Sequence, residues 1–594
     1  MAKILGLSFF YHDSAAALLV DGMPVAMSEE ERFSRRKHDY SFPKGAIEFV
    51  MRKGNISVQD LDYVVFYEKP FLKFDRIFKT LLATFPWTPL VFIKAVKSLF
   101  LSKIWIRSLI VKEVGIHPDK VLFCEHHLSH AASAFLCSPF EKAAILTVDG
   151  VGEWAVTTVG VGKNNSIRIL KEIHFPHSLG LLYSAFTAFL GFEVNEGEYK
   201  VMGMAPYGKP RYTDKVKKLI RFFDDGSYAL DLNYFNFYRS ERSTYSRVFV
   251  ELFGPPRDSK SKFFTRESGW PSYFGEKPHG AVFEKMADEQ EYYADIAASV
   301  QCVLEEAMLH LAKEVRRLAG CNVLCVGGGV GLNSVANWKL VNSGIFEELF
   351  IQPAAGDAGG ALGAALYVDN VILGSGRKFL MTHAYYGEEY SSGDIETFLK
   401  KRSIHYSHAG SDQELFTVVT DDLVKGKVVG WFNGRFEWGP RALGNRSILA
   451  DPRRSDMKDI VNTKIKFREP YRPFAPSVLV EHVDEFFDIS NTAVHTPARF
   501  MLYVVDVKEN KKKDIPAITH VDGTGRLQTV FQKESPRYWA LIDCFFRRTG
   551  VPLVLNTSFN LKGEPIVNSP EDAYSTFMRS GIDTLVLGNF IVRK

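Results

Sequence analysis

Two histidines separated by three residues form the first pair in this sequence that could hold a metal ion. His126 and His130 lie in HHLSHAASAF, an alanine-rich stretch typical of a helix, which Pro139 would stop. At positions i and i+4 of a helix both imidazoles project from one face, so they could occupy adjacent positions on one ion. A purely structural histidine pair would show the same spacing, and the pair alone leaves both interpretations open.

Two aspartates in glycine-rich turns are the natural partners of this pair. Asp149 follows the apolar run AAILTV, and Asp357 begins an Ala/Gly-rich helix in PAAGDAGGALGAAL. Close packing of that helix explains its glycines but not its aspartate. With His126 and His130 the two carboxylates make a set of two imidazoles and two carboxylates, which suits a transition metal better than magnesium or calcium. We expect Fe(II), with Mn(II) and Zn(II) as alternatives.

A glycine turn predicts a place for an anionic ligand. NVLCVGGGVGLNS is typical of an apolar strand, a triple glycine and a helix that begins near Asn333 or Ser334. The N–H groups of Gly328 and Gly329 could bind a nucleotide phosphate there, although neither a Walker motif nor a full dinucleotide fingerprint is present. Upstream, GEYKVMGMAPYG offers Lys200 in a glycine-broken loop, which either approaches a ligand or is only a turn.

The third chemical signal is a local excess of positive charge. Residues 434–476 contain ten Lys/Arg and five Asp/Glu, a balance of ten minus five, or +5, whereas the whole chain carries +4. Arginines held between glycines and prolines point in fixed directions, and each can donate two hydrogen bonds to phosphate. A small phosphorylated ligand is favoured over nucleic acid, because regularly spaced aromatic residues and an extended lysine tract are lacking.

The elements that must position these residues predict a duplicated α/β unit. Ile4–Ser28 and Ala143–Ile173 each contain three strand-like segments joined by short turns, and the first turn of each holds an aspartate. Two such meanders, each followed by helical sequence, predict a duplicated ribonuclease-H-like fold, the architecture of the actin, sugar-kinase and Hsp70 superfamily. In that superfamily the first turns of both halves face a nucleotide in the cleft.

Length and composition predict a globular protein of at least two domains. The 594 residues are too many for one hydrophobic core, and 46% hydrophobic with 24% charged residues is ordinary globular composition. We place the domain boundary near residue 375, giving domains 1–375 and 376–594. Six scattered cysteines and an N-terminus without a signal-peptide pattern predict a reduced, cytoplasmic protein. The irregular aromatic stretch 225–282 is predicted to lie over the cleft and to recognise an acceptor.

The apolar stretch from Phe85 to Val111 is a poor membrane span. Prolines and lysines interrupt it at five positions, namely Pro86, Pro89, Lys94, Lys97 and Lys103. We therefore expect helices that pack on the body of the protein or on a partner, without stable membrane insertion. These helices are also the candidate face of a homodimer.

Seven motifs together resemble one enzyme family. They are HHLSHAASAF, TVDGVGE, GEYKVMGMAPYG, PAAGDAGGALGAA, GPRALGNRSILADPR, REPYRPFAPSV and NTSFNLKGEPIV. The combination runs through essentially the whole chain and is similar to the O-carbamoyltransferases of nodulation factors, cephamycins and aminoglycosides. The resemblance implies an actin-like N-terminal domain, similar to the universal tRNA threonylcarbamoyl-transfer enzyme, with a metal on HxxxH and aspartates. It also implies an α/β C-terminal domain similar to threonylcarbamoyl-adenylate synthase.

The resemblance further implies a binding site for carbamoyl phosphate in the C-terminal domain. NTSFNLKGEP resembles the synthase's Ser-Ala-Asn-x-Ser-Gly loop, and KFREPYRP resembles its Lys/Arg phosphate motif with a different spacing. The predicted carbamoyl phosphate ligands are Arg441, Arg446, Lys466, Arg468, Arg472, Ser558 and Asn560.

The family mechanism implies two half-reactions. Carbamoyl phosphate and ATP, with Mg²⁺, give carbamoyl-adenylate, pyrophosphate and phosphate in the C-terminal domain. The N-terminal cleft, with its metal and with adenosine on the glycine loop, then transfers the carbamoyl group to a hydroxyl of a small-molecule acceptor. His12, in the first turn, is the predicted general base for that hydroxyl. The alternative is a turn histidine bonded to Asp13.

Three other functions share parts of this pattern. A sugar kinase would explain the meanders and the glycine turn, but neither the histidine pair nor the basic region. A metalloprotease would use HxxxH, but the inner Glu of HExxH is absent, and Leu128 and Ser129 are poor substitutes. A non-catalytic nucleic-acid binder would use the arginines but not the cleft. Release of pyrophosphate from ATP that depends on carbamoyl phosphate distinguishes a carbamoyltransferase from all three.

Overall fold

The computed structural model describes residues 2–84, 105–240, 242–469, 471–489 and 495–594, which form two compact units. Unit 1 consists of Met1–Glu30, Tyr40–Ser261 and Glu291–Met381, and unit 2 of Glu31–Asp39, Lys262–Gln290 and Thr382–Lys594. Neither unit is one continuous stretch of chain. The last segment of unit 1 ends six residues beyond the predicted boundary at 375, while the two short early segments of unit 2 were not expected from the sequence.

Unit 1 contains two five-stranded sheets with the same topology. The first has the order β3-β2-β1-β4-β5 and the second the order β8-β7-β6-β11-β12. Its strands are β1 Lys3–Ser8, β2 Ala15–Val20, β3 Met23–Glu29, β4 Tyr63–Phe66, β5 Val121–Phe123, β6 Lys142–Val148, β7 Ala155–Lys163, β8 Ser166–His174, β11 Val323–Gly327 and β12 Glu348–Phe350. A separate hairpin pairs β9 Ile220–Phe222 with β10 Tyr228–Leu230.

The pairing of these strands confirms the predicted duplication. In each sheet the first three strands form an antiparallel meander, and two later strands add parallel to the first strand of the meander. Because parallel strands need a crossover connection, the chain returns through helices in both halves. Repetition of this order in one unit is the duplicated ribonuclease-H-like arrangement.

The helices of unit 1 include the two that carry the predicted metal ligands. The helices are Lys44–Gly54, Pro70–Thr84, Ile106–Val114, His126–Phe135, Leu179–Phe189, Glu198–Met204, Thr213–Lys217, Arg247–Phe253, Ser334–Asn342 and Asp357–Leu366, and Gly280–Ala319 has residues in both units. Asp357–Leu366 is fully buried and packs on β1 and on His126–Phe135. A side chain at Gly363 would collide with the carbonyl oxygen of Ser129, so close packing requires this glycine.

Unit 2 is built on one nine-stranded mixed sheet of order β13-β21-β20-β14-β15-β19-β16-β18-β17. The strands are β13 Ser407–His408, β14 Val429–Phe432, β15 Arg446–Ala450, β16 Ala475–Leu479, β17 Tyr503–Asp506, β18 Thr524–Val530, β19 Leu553–Ser558, β20 Thr584–Leu587 and β21 Phe590–Arg593. Its helices are Glu31–Ser34, Ser392–Lys401, Asp412–Val424, Met457–Val461, Val483–Phe486, Thr496–Arg499, Pro536–Thr549 and Pro570–Met578. The unit is therefore mixed α/β.

Two predicted segments are only partly described. The stretch 225–282 is divided between the units, since Ser261 ends a segment of unit 1 and Lys262 begins one of unit 2. Of the stretch from Phe85 to Val111, residues 85–104 lie outside the described residues, Trp105 is the N-cap of the helix Ile106–Val114, and residues 106–111 belong to that helix. Among the helices that the structure describes, none has the length and apolar character needed to cross a membrane.

Candidate metal centre and anion pocket

The four predicted metal ligands lie together inside unit 1 and are all buried. His126 Nε2 is 3.0 Å from His130 Nε2 and 3.1 Å from Oδ2 of Asp149. Oδ1 of Asp357 is 3.6 Å from both of these nitrogens. The HxxxH spacing sets the first distance, because the two rings occupy consecutive turns of one helix. Each aspartate comes from another element: one follows β6 and the other begins Asp357–Leu366.

This geometry fits one divalent ion. Two ligand atoms about 2.1 Å from an ion and at right angles to each other lie about 3.0 Å apart. The two Nε2 atoms have this separation. The Nδ1 atoms of both histidines have no hydrogen-bond partner among the described residues, so it is the Nε2 atoms that the protein has gathered around a common point. Two imidazoles with two carboxylates match the donor set of Fe(II), Mn(II) or Zn(II).

The electrostatics of the cluster favour a bound cation. Burial alone would raise the pKa of Asp149, but hydrogen bonds from His126 and His130 hold it well below its usual range. Burial likewise lowers the pKa of His130, yet the two aspartates outweigh burial and raise it to about 9. Both shifts have one cause, since carboxylates in a dry site stabilise any positive charge next to them, whether a proton or a metal ion.

Neighbouring groups fix the orientation of both carboxylates. The Tyr67 hydroxyl donates to Oδ2 of Asp357 at 3.2 Å, and the Gly329 N–H donates to Oδ1 of Asp149 at 2.8 Å. The Glu153 carboxylate accepts from the N–H of His126 at the start of its helix. Tyr67, which directly follows β4, was not predicted, because an aromatic residue after an apolar strand is common and carries no signal of its own. Glu153 was visible within TVDGVGE, but no role was assigned to it.

The residues of the glycine turn and Lys200 have separate structural surroundings. Gly328 adopts φ +88, Gly329 is engaged with Asp149, and Asn333 caps the helix Ser334–Asn342 as predicted. The predicted loop around Lys200 is wrong, because Glu198–Met204 is a helix. Its residues favour helix, and its first-turn glutamate accepts hydrogen bonds from nearby groups. The lysine ammonium lies 5.7 Å from the ring centre of Phe192.

Both ring nitrogens of His12 are engaged. Nδ1 is 2.7 Å from Oδ2 of Asp13, and Nε2 is 2.9 Å from the carbonyl oxygen of Asn195. Burial alone would lower the pKa of His12, but Asp13 outweighs it and raises the pKa to about 10. With acceptors on both nitrogens the ring is an imidazolium at neutral pH. This geometry corresponds to the alternative interpretation, in which His12 is a turn histidine bonded to Asp13. To act as a general base, His12 would first have to lose the proton of its imidazolium.

Unit 2 surrounds the buried Lys466 with oxygen atoms. Within the described residues its ammonium contacts the carbonyl oxygen and Oγ of Ser558, the latter at 3.3 Å, and the carbonyl oxygen and Oδ1 of Asn560 at 3.0 and 2.7 Å. Burial lowers the pKa of Lys466 well below its usual range, and Arg468 and Arg472 lower it further. A bound anion would favour the protonated form of this lysine.

Arginines from three parts of unit 2 lie near one another. Burial lowers the pKa of Arg526 well below its usual range, and the nearby positive charges of Arg441, Arg472 and Arg468 add to this effect. Lys37, far away in the sequence, acts on Lys466 in the same direction. Arg526 and Lys37 were not among the predicted ligands. Arg526 could have been noticed as a lone charge in the strand β18, whereas nothing in the sequence links residue 37 to this region.

Arg446 differs from the other predicted phosphate ligands. It is completely buried, and its guanidinium donates to the carbonyl oxygens of Asn433, Gly434, Asn445 and Glu388. Its charge also lies 3.7 Å from the ring centre of Phe432. These contacts hold a turn together and leave the guanidinium completely enclosed by protein groups. We therefore leave Arg446 out of the anion pocket, which we define as Lys37, Arg441, Lys466, Arg468, Arg472 and Arg526.

Comparisons with known proteins identify two family domains in this chain. Residues 3–366 match the family model described as carbamoyltransferase N-terminus, and residues 420–594 match carbamoyltransferase C-terminus. The uncharacterised protein sll1178 of Synechocystis sp. is 44% identical over 100% of this chain and 97% of its own length. Nodulation protein NolNO of Sinorhizobium fredii is 37% identical over 98% of this chain and 79% of its own length.

A third relative is named for its reaction. The 3'-hydroxymethylcephem-O-carbamoyltransferase of Amycolatopsis lactamdurans is 31% identical over 78% of this chain and 79% of its own length. Among solved structures, full-length HypF in its phosphate- and nucleotide-bound form aligns with 63% of this chain and 56% of its own, at 13% identity and a TM-score of 0.32. The two family models together span most of the sequence, and the chain therefore belongs to the carbamoyltransferase family of enzymes.

Proposed function

We propose that this enzyme is an ATP-dependent O-carbamoyltransferase acting on a hydroxyl group of a small molecule. The observation that carries the proposal is the anion pocket of unit 2, where buried Lys466 and half-buried Arg526 lie near further arginines. Gathering like charges away from water is unfavourable unless an anion joins them. The phosphate of carbamoyl phosphate has the size and charge for this role, and arginine forks match its oxygens.

We assign carbamoyl phosphate to the anion pocket in the first half-reaction. ATP, with Mg²⁺, is the second substrate of this half-reaction. Water would cleave carbamoyl phosphate to carbamate and phosphate. A carbamate oxygen would then bond to the α-phosphorus of ATP, and pyrophosphate would leave to give carbamoyl-adenylate. Positive charge from the arginines would stabilise the oxygens on which negative charge develops. Ser558 and Asn560, which contact Lys466, would hold its ammonium group in place.

We assign the second half-reaction to unit 1. A divalent ion held by His126, His130, Asp149 and Asp357 would supply Lewis-acid polarisation to the carbamoyl-adenylate. Tyr67 and Gly329 would keep the two carboxylates oriented through the hydrogen bonds described above. The remaining candidates for nucleotide contacts are Lys200, Gly328 and Asn333.

His12 is the proposed base of this step, under a condition that its contacts impose. It must first lose the proton that Asp13 and the carbonyl of Asn195 stabilise. Its Nε2 would then take the proton of the acceptor hydroxyl. The hydroxyl oxygen would bond to the carbamoyl carbon, and the bond from that carbon to the adenylate oxygen would break, releasing AMP.

The acceptor belongs to the class of hydroxylated small molecules. Relatives of this chain are named for nodulation and for a hydroxymethylcephem substrate, which supports a hydroxyl acceptor without identifying it. The deciding experiment is pyrophosphate release from ATP by the purified full chain with and without carbamoyl phosphate. Release that requires carbamoyl phosphate supports the proposal. Absence of release, or equal release without carbamoyl phosphate, overturns it.

A further inference from the structure

One helix of unit 1 has cations on its buried side and apolar side chains on its exposed side. In Pro70–Thr84 the buried residues include Lys73 and Arg76, at 6% and 8% exposure. Phe71 and Leu82 are instead 72% and 56% exposed. Residues three apart share one helix face, so both cations point towards the interior of unit 1. A cation away from water is costly unless an anion or several acceptors compensate it.

Arg76 lacks an ion pair within the described part of the chain, in contrast to its neighbour. The Lys73 ammonium contacts both carboxylate oxygens of Glu68, at 2.8 and 2.7 Å. Arg76 donates from Nη1 to the carbonyl oxygen of Gly152 at 2.6 Å, and its guanidinium carbon lies 5.1 Å from the ring centre of Phe175. Burial lowers the pKa of Arg76, and nearby acidic groups offset this effect only in part. Most of its five N–H donors therefore stay available to an anionic ligand.

Two contacts place Arg76 beside the metal centre. Gly152 lies against the helix that begins with His126, since a Cβ on this glycine would be 3.3 Å from Cδ2 of that histidine. The Glu153 carboxylate accepts from the N–H of Lys69 at 2.7 Å and from the N–H of His126 at 3.0 Å. It thus joins the start of the helix that carries Arg76 to the start of the helix that carries two of the four metal ligands.

Tyr11 offers a second donor at the same turn. Its hydroxyl oxygen is 3.7 Å from the position that a Cβ on Gly150 would occupy, and Gly150 directly follows Asp149. Burial raises the pKa of Tyr11, and the carboxylates of Asp149 and Asp357 raise it further. The charge of Arg76 acts on this pKa in the opposite direction. The hydroxyl thus lies near both the metal ligands and the guanidinium, and it keeps its proton at neutral pH.

We propose that Arg76 and Tyr11 bind the phosphate group of carbamoyl-adenylate beside the metal centre. The guanidinium fork can donate to two phosphate oxygens, and the tyrosine hydroxyl can donate to one of them. When the bond from the carbamoyl carbon to the adenylate oxygen breaks, that oxygen keeps the electron pair, and AMP leaves with one more negative charge on its phosphate. A fixed cation stabilises this added charge. The inference rests on the proposed function, and it assigns the phosphate of the second half-reaction to named residues of unit 1.

AMP is the probe for this site, because it is the leaving group of the proposed transfer. The full chain is loaded with Mn²⁺, free ion is removed, and the relaxation of the AMP phosphorus is followed by NMR during a titration. The paramagnetic effect falls steeply with distance, so it reports AMP whose phosphate lies near the ion. Arg76→Gln should raise the Kd of AMP about 10- to 150-fold, the range for loss of a charged hydrogen bond. Tyr11→Phe should raise it about 10-fold, the lower end of that range.

Two controls separate phosphate recognition from loss of charge or of structure. Lys79 lies on the exposed side of the same helix and pairs with Asp75 at 2.8 Å. Lys79→Gln therefore removes the same charge and should leave the Kd of AMP unchanged. Adenosine, which lacks the phosphate, is used as a competitor, and its inhibition constant should be the same in the parent and in Arg76→Gln. If Arg76→Gln does not fold or does not hold Mn²⁺, Tyr11→Phe decides, because it removes only one hydroxyl oxygen.

A parent protein that holds Mn²⁺ but does not relax the phosphorus of AMP would overturn the inference. An unchanged Kd of AMP in Arg76→Gln or in Tyr11→Phe would remove that residue from the phosphate site. Equal losses of AMP and adenosine affinity would assign the two residues to the shape of the pocket instead. The proposed function is tested separately, by pyrophosphate release that depends on carbamoyl phosphate. If that release is absent while AMP binding depends on Arg76, the proposed function fails and the phosphate site at the metal centre stands.

Discussion

The two candidate sites of this carbamoyltransferase balance charge in opposite ways. In unit 1 each imidazole lies within 4 Å of two carboxylates, so opposite charges compensate one another inside the protein. In unit 2 the pKa values of Lys466 and Arg526 are lowered by burial and by neighbouring cations. A compensated cluster can exist without a ligand, whereas a cluster in which cations predominate favours an added anion. From this difference we propose a cation for the first site and an anion for the second.

The largest expected effect is the loss of the metal from unit 1. His130→Ala removes one of two imidazoles and should reduce bound metal from one ion per chain to a small fraction. Loss of an outer partner alone costs about 10- to 100-fold in metal affinity, and the loss of a ligand should exceed that. Elemental analysis gives the stoichiometry. Carbamoyl transfer should disappear, while pyrophosphate release persists.

The neighbouring His127 provides the control for this experiment. Its Nδ1 is 2.6 Å from the hydroxyl oxygen of Thr147, and it is not part of the four-ligand cluster. His127→Gln keeps a polar group on that threonine and should retain the metal. Full metal content in His130→Ala would show that the cluster of four is not the binding site.

The second effect concerns the proton on His12. Its pKa of about 10 means that the neutral ring is scarce at pH 7, so transfer should accelerate about tenfold per pH unit up to that pKa. His12→Asn should slow transfer by roughly 100-fold or more and abolish this rise with pH. Asp13→Asn removes the charge that raises the pKa and should move the rise to lower pH. A pH profile of transfer that is identical in all three proteins would exclude His12 as the base.

The same pair contributes to stability with a definite sign. Because the folded-state pKa of His12 lies above its usual value of about 6.5, the protonated ring stabilises the fold below that pH. The contribution is lost as the pH rises towards 10. Denaturant titrations of the parent and His12→Asn should therefore differ at pH 6 and converge above pH 10.

A smaller effect separates phosphate binding from structure in unit 2. Arg526→Ala should raise the KM for carbamoyl phosphate about 10- to 150-fold, the equivalent of a charged hydrogen bond of about 1.5–3 kcal/mol. Arg446→Ala should instead lower the free energy of unfolding, by about 1–3 kcal/mol for each buried carbonyl left without a donor. The KM for carbamoyl phosphate and the free energy of unfolding, from denaturant titrations, are measured for both variants. A normal KM in Arg526→Ala would place the phosphate elsewhere.

The smallest effect tests the group that orients a metal ligand. Tyr67→Phe removes the hydroxyl that donates to Asp357 and keeps the ring. Metal affinity should fall about 10-fold, the lower end of the range for such outer partners. Competition with a chelator measures the metal affinity of the parent and of Tyr67→Phe. Unchanged affinity would mean that the packing of the helix Asp357–Leu366 is enough to orient the carboxylate.

Local spacing allowed the sequence to determine several features by itself. Residues four apart on a helix must share a face, which brings His126 and His130 together without help from the rest of the chain. Hydrophobic segments and acidic turns repeated in order identified the duplicated meander, and an asparagine before a helix predicted the cap at residue 333. Each of these depends on neighbours within a few residues.

Other features were decided only by the tertiary structure, because they depend on groups that are distant in the sequence. The carbonyl of Asn195 and the charge of Asp13 together make His12 an imidazolium. Backbone carbonyls from four residues convert Arg446 from an expected phosphate ligand into a structural cation. Arg526 lies near Arg441, Arg468 and Arg472, although β18 is far from them in the sequence. A side chain's charge state and partners follow from its surroundings in space, and a linear pattern of residue types does not contain them.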